Sequence, residues 1–144
     1  MPHFTGWVMS STKFDHPTAL FITGTTGAGK SHFIKKTIEN EGIKGVINNI
    51  FYFMPYMEAI DIQPLPHQKL FLMTGIPTQR WLTDVFKKDY ANDSLIIIDD
   101  QWTECCNSNV ARSLLTHSRR HDRVSLIFVS HSFYEPGTFS KIMR

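Results

Sequence analysis

Two stretches, SLIIIDD (residues 94–100) and VSLIFVSHS (124–132), carry apolar residues at nearly every position. They lack the alternation of a strand with one wet face and fit strands covered on both sides, as in a parallel sheet with helices on each face. ALFITG (19–24) is a shorter run ending in glycine, and KSHFIKKTIENEG follows with Phe33, Ile34 and Ile38 on one helical face. GVINNIFYFMP (45–55) and KLFLMTGIP (69–77) read as two more strands, closed by proline or a Gly/Pro pair. EAIDIQPLPHQ between them contains Pro64 and Pro66 and reads as a surface connection. TQRWLTDVFKKDY (78–90) sets Trp81, Leu82, Val85 and Phe86 at helical spacing behind a Thr78 N-cap, a stripe that suits a core better than a ligand box. SNVARSLLTHSRRH reads as a helix with Val110, Leu114 and Leu115 inside and a basic end. Strands separated by helical stretches predict an α/β fold: a parallel, right-handed βαβ sheet in three layers, α/β/α.

Composition narrows the classes. At 144 residues and 42% hydrophobic content the chain suffices for one globular domain that buries roughly two-thirds of its unfolded surface. A net charge of +2 permits an acidic partner without requiring one. Cys105 and Cys106 are adjacent, which suits neither a disulfide framework nor a four-ligand zinc site, and implies a reducing compartment. They read as a small, semi-buried pair at the start of a helix. No apolar run reaches the roughly 18 to 20 residues that span a bilayer, and MPHFTGWVMSST lacks the pattern of a secretion signal. The expectation is a soluble, intracellular chain or one enclosed in a particle, with no membrane partner.

The strongest chemical signal is GTTGAGKS, Gly24 to Ser31, which fits G-x-x-x-x-G-K-[ST] (Walker A) after a strand and before a helix. Gly24, Gly27 and Gly29 allow torsions closed to other residues, so that successive N–H groups turn inward around phosphate oxygens. Lys30 then reaches the β- and γ-phosphates, the helix N-terminus adds partial positive charge, and Ser31 offers its hydroxyl to Mg²⁺. Gly24, Thr25, Thr26, Gly27, Ala28, Gly29, Lys30, Ser31 and the following His32 form the expected nucleotide-binding segment. His3, His16, His32, His67, His117 and His121 show no metal-ligand spacing.

LIIIDDQWTE places two carboxylates at the carboxyl end of a buried strand, where a parallel sheet opens its ligand crevice. A strand lying beside the glycine-loop strand with Asp99 at its end suits a Mg²⁺ ligand. Asp100 is the candidate to orient or deprotonate an attacking water, or else a cap of the next segment; Gln101 and Glu104 are alternatives for the water. After the last apolar run, His131 is the candidate sensor of the terminal phosphate, with Ser130 and Ser132 as alternatives. THSRRHDR gathers Arg119, Arg120, His121 and Arg123. It reads as a cation-rich helix end complementing its dipole, as a basic rim for a nucleic-acid backbone, or as the source of an arginine acting on a neighbouring subunit's triphosphate, Arg120 first and Arg119 second.

Taken together, GTTGAGKS, FLMTGIP, LIIIDDQWTE and LLTHSRRHDRVSLIFVSHSFYEPGTFSKIMR resemble the genome-packaging ATPases of large DNA viruses and of Maverick (Polinton)-type elements, within the FtsK/HerA superfamily of P-loop motors. The resemblance spans about residues 17–144 as the ATPase domain, with 1–16 as an N-terminal extension that adds a strand. It implies an ASCE/RecA-like P-loop NTPase fold and a ring, expected to be hexameric, that hydrolyses ATP with Mg²⁺ to push double-stranded DNA into a capsid, with a capsid or portal protein as further partner. Lys30 and Ser31 fall at its phosphate and metal positions, Asp99 and Asp100 at its metal and catalytic acids, and His131 at a polar sensor that is often glutamine. The family continues past the equivalent of Ser140–Arg144 with at least one more strand, so the chain is expected to be a fragment or to complete its sheet otherwise, as through Gly6 to Ser10. Two other classes share the glycine loop: a small P-loop kinase, which calls for an arginine-rich lid and an acceptor pocket, and a nucleotide binder without turnover.

Overall fold

A computed structural model describes residues 14–24, 29–39, 42–43, 47–90, 93–118 and 123–130. Among these residues five strands form one all-parallel sheet: β1 (Ala19–Thr23), β2 (Asn49–Met54), β3 (Lys69–Thr74), β4 (Ser94–Asp99) and β5 (Ser125–Ser130), in the order β1-β5-β4-β2-β3. The doubly apolar strands expected from their runs occupy the interior. Every residue of β2 and β5 is buried, as are Ser94 to Ile98 of β4, whereas β3 at the edge is partly exposed.

Alternation along the strands divides the core into two faces. Leu20, Tyr52, Leu95, Ile97, Ile127 and Val129 meet Phe33, Ile34 and Ile38 of α1 (Lys30–Glu39). Phe51, Phe53, Ile96, Ile98, Leu126 and Phe128 face the helices that follow β3 and β4. The molecule is therefore layered α/β/α. Each large side chain buried this way contributes roughly 1.5–3 kcal/mol.

After β3, Thr78 caps α2 (Gln79–Trp81), its hydroxyl accepting from Trp81 N–H at 3.0 Å. The helix runs through a π-helical segment (Leu82–Phe86) into α3 (Lys87–Asp89). Leu82 and Phe86 are buried and Trp81 is half-buried against Phe51 and Phe53, so the stripe is core. Val85 departs from expectation and is exposed. Bonding from i to i+5 instead of i to i+4 widens the turn and rotates Val85 off the buried face. After β4, α4 (Trp102–Ser108) ends at Asn109, and α5 (Val110–Arg112) continues into a second π-helical segment (Ser113–Ser118). Val110 and Leu114 are buried and Leu115 is half-buried. Cys105 is buried and Cys106 half-buried on α4, without a disulfide. Burial pushes the Cys105 thiol up to about 12, which suits the inert pair that its spacing implies.

One reading of the connections holds and one expectation needs correction. Parallel β2 and β3 are joined by residues 55–68 with no helix in between, as Pro64 and Pro66 imply. This extended connection tucks Ile60 and Ile62 against the α1 face and is tied to α1 by a Lys35–Asp61 ion pair at 2.8 Å and by Gln63 N–H donating to Glu39 Oε2. It is long enough to return the chain to the same end of the sheet, the requirement that a helix usually meets. Against expectation, β4 does not lie beside β1, because β5 pairs with both. The acid strand is two strand spacings, roughly 10 Å, from the glycine-loop strand. Gly6 to Ser10, expected as an added strand, lies outside the described residues.

Candidate functional site

The chain leaves β1 toward α1 on one face and leaves β4 toward α4 on the other, so a crevice opens between the carboxyl ends of these strands. Gly29 stands at its mouth with φ 90°, a torsion that favours glycine, and its carbonyl accepts the Phe33 N–H at 2.9 Å to open α1. Lys30 Nζ donates to Gly24 O at 2.6 Å. Thr25, Thr26, Gly27 and Ala28 lie outside the described residues, as do Arg119, Arg120, His131 and Ser132.

The crevice is a cleft of about 510 Å³, within the range of small-molecule sites. Its walls come from four strand ends: Gly29, Lys30, Ser31 and His32 beyond β1; Val129 and Ser130 on β5; Asp99 and Asp100 at β4; and Pro55, Tyr56 and Glu58 beyond β2. The structure thus brings the end of GTTGAGKS and both aspartates to one cavity. The intervening β5 puts Ser130 between them.

Asp99 follows Leu95 and Ile97 in the strand's alternation, so it faces the α1 side with Lys30. Burial raises its pKa above the ordinary aspartate value, and the charges of Asp100 and Glu58 add to the rise. A hydrogen bond from Tyr52 and the charge of Lys30 oppose it. Tyr52 Oη donates to Asp99 Oδ2 at 2.9 Å. Burial, then the charge of Asp99, keeps the phenol protonated far above neutral pH. Asp100 ends the strand in the left-handed region, φ 57°, which aspartate tolerates, and its N–H donates to Val129 O at 2.8 Å.

No family model, curated protein or solved structure matches this chain.

The donor set suits Mg²⁺ bound jointly with a polyphosphate. Magnesium takes one or two carboxylates plus phosphate oxygens and water, and needs no all-protein cage. Asp99 and the Ser31 hydroxyl line the same cleft, while no cluster of three or more His, Cys, Asp or Glu that would cage a metal occurs among the described residues. Of the alternatives for positioning water, Gln101 is buried, its Nε2 donating to Gly75 O at 2.7 Å, and Glu104 lies exposed on α4; neither lines the cleft. Arg123 is exposed with φ 51° at the amino end of β5, away from the cleft.

Sequence reasoning missed Tyr52 and Glu58. Tyr52 sits in NIFYFM, where it reads as one more aromatic in a buried strand. The available signal was its hydroxyl, since a buried tyrosine usually finds a hydrogen-bond partner. Glu58 belongs to a polar connection with no periodicity, and only the β2–β4 pairing brings it to the acid strand.

Proposed function

We propose that the chain is a Mg²⁺-dependent ATPase that works as a motor on double-stranded DNA, packaging a viral or element genome into a capsid. The observation that carries the enzymatic part is the shared cleft that holds the lysine at the start of α1 together with the paired aspartates. The motor part rests on the sequence resemblance, and with it the homo-oligomeric ring and the capsid or portal partner.

In this reading the loop N–H groups and Lys30 hold the β- and γ-phosphates. Ser31 and Asp99 would hold Mg²⁺, which would supply neutralisation of the phosphate charge. Asp100 accepts a proton from water as the water oxygen bonds to the γ-phosphorus and the bond to the bridging oxygen breaks, giving ADP and phosphate. His131 senses the terminal phosphate and Arg120 acts on a neighbour's site. A second carboxylate beside the metal acid suits water as acceptor better than a hydroxyl substrate, which favours hydrolysis over a kinase reaction.

Phosphate release measured with and without duplex DNA, beside a screen of nucleoside and sugar acceptors, tests the proposal. The expected outcome is release stimulated by DNA, lost in Lys30→Ala and lowered roughly 10²- to 10⁴-fold in Asp100→Asn with nucleotide binding retained. Transfer to an acceptor would instead mark a kinase, and binding without turnover a passive nucleotide binder.

A further inference from the structure

Tyr52 lies on β2 opposite Ile97 of β4, on the face where Asp99 follows Ile97 in alternation. It is 4% exposed, and its ring is part of the α1-side core. A phenylalanine would fill the same volume with no polar atom to satisfy. The hydroxyl does one thing that a phenylalanine cannot: it donates to Asp99 Oδ2 at 2.9 Å. That bond ties one carboxylate oxygen to the core in a residue that lines the cleft. It also offsets part of the desolvation that burial imposes on the charged carboxylate. The hydroxyl keeps its proton across the working range because burial and the Asp99 charge both disfavour phenolate.

We infer that Tyr52 is a positioning residue that orients the Asp99 carboxylate for a divalent cation and thereby sets the cation affinity of the nucleotide-loaded site. The inference rests on the reading of Asp99 as the metal acid. Its logic is that of outer-shell partners in metal sites: a ligand already held by a hydrogen bond loses less freedom when it binds. Tyr52 itself touches neither cation nor phosphate.

The test is a Mg²⁺ titration of the full chain loaded with a non-hydrolysable ATP analogue, read by calorimetry. Tyr52→Phe should weaken Mg²⁺ binding roughly 10- to 100-fold while binding of the analogue in EDTA stays at the wild-type value. A folded Tyr52→Phe chain with wild-type Mg²⁺ affinity overturns the inference. Asp99→Ala is the companion variant: loss of Mg²⁺ affinity there, beside an unaffected Tyr52→Phe, refutes the role of Tyr52 and leaves the site reading standing. Unchanged affinity in Asp99→Ala refutes both. A second measurement needs no substitution. In wild type labelled with ¹³C at the tyrosine ring, the Tyr52 resonance should shift when Mg²⁺ joins the bound analogue, and a resonance that stays in place contradicts the inference.

Discussion

Asp99 retains its proton to higher pH in the folded chain than an aspartate in water does, chiefly through burial. The unfolded chain therefore loses this proton first as pH rises. The resulting contribution to stability is full below the unfolded pKa and lost as pH rises through the folded one, so near neutrality ionised Asp99 is a cost to the fold. In EDTA, Asp99→Asn should melt at a higher temperature than wild type at pH 7, with the gap closing as pH falls below the ordinary aspartate range. Mg²⁺ with nucleotide should reverse the order, since it stabilises only the chain that binds it. A variant that melts no higher at pH 7 would mean that the Tyr52 bond and Lys30 outweigh desolvation. Lys30, Ser31 and Asp99 were legible because fixed spacing from a glycine turn or from a strand end dictates where such side chains must stand. Tyr52 was not, because hydropathy treats a buried phenol as an aromatic and its partner lies 47 residues away in sequence.

Elements were legible where one period dominates. All five strands and α1 follow from apolar runs and a helical face, and the Thr78 cap follows from the residue type. The π-helical segments were not, because apolar residues at helical spacing do not tell i−4 from i−5 bonding, and Val85, read as core, turns outward there. The break between α4 and α5 has a residue-level cause: Asn109 takes φ 64° and ψ 0°, a left-handed turn where Cβ crowds the carbonyl and asparagine is better tolerated than most residues. The two helices then direct Cys105, Val110, Ala111 and Leu114 into one core. Replacing Asn109 by valine should cost about 1–2 kcal/mol, whereas glycine should leave stability within a few tenths of a kcal/mol. Urea midpoints of the two variants check this; equal midpoints would mean that the turn is not held left-handed in solution.

Strand order is a property of the whole molecule, and local pattern cannot supply it. The insertion of β5 between β1 and β4 emerges only from how both helical layers close over the sheet, and it settles where each end of β5 lies. Ser130 at its carboxyl end lines the cleft. Arg123, which leads into its amino end, stands a strand's length, roughly 17 Å, from that cleft. Arg120 precedes Arg123 by three positions in the chain. Under the proposed function, Arg123 at this end of the sheet is poorly placed to serve a triphosphate held by its own subunit. In a head-to-tail ring, where one face of each subunit meets a different face of the next, the amino end of one sheet can face a neighbour's cleft. Arg120→Ala should then bind nucleotide normally and lose turnover as an assembly. Lys30→Ala subunits, which keep Arg120 but hold no triphosphate, should partly restore turnover when mixed with Arg120→Ala subunits, because every junction at which a Lys30→Ala subunit faces the cleft of an Arg120→Ala subunit pairs an intact arginine with an intact loop. Steady-state phosphate release across mixing ratios reads this directly. A response that only dilutes, with no excess over the two inactive parents, would exclude action in trans at that position.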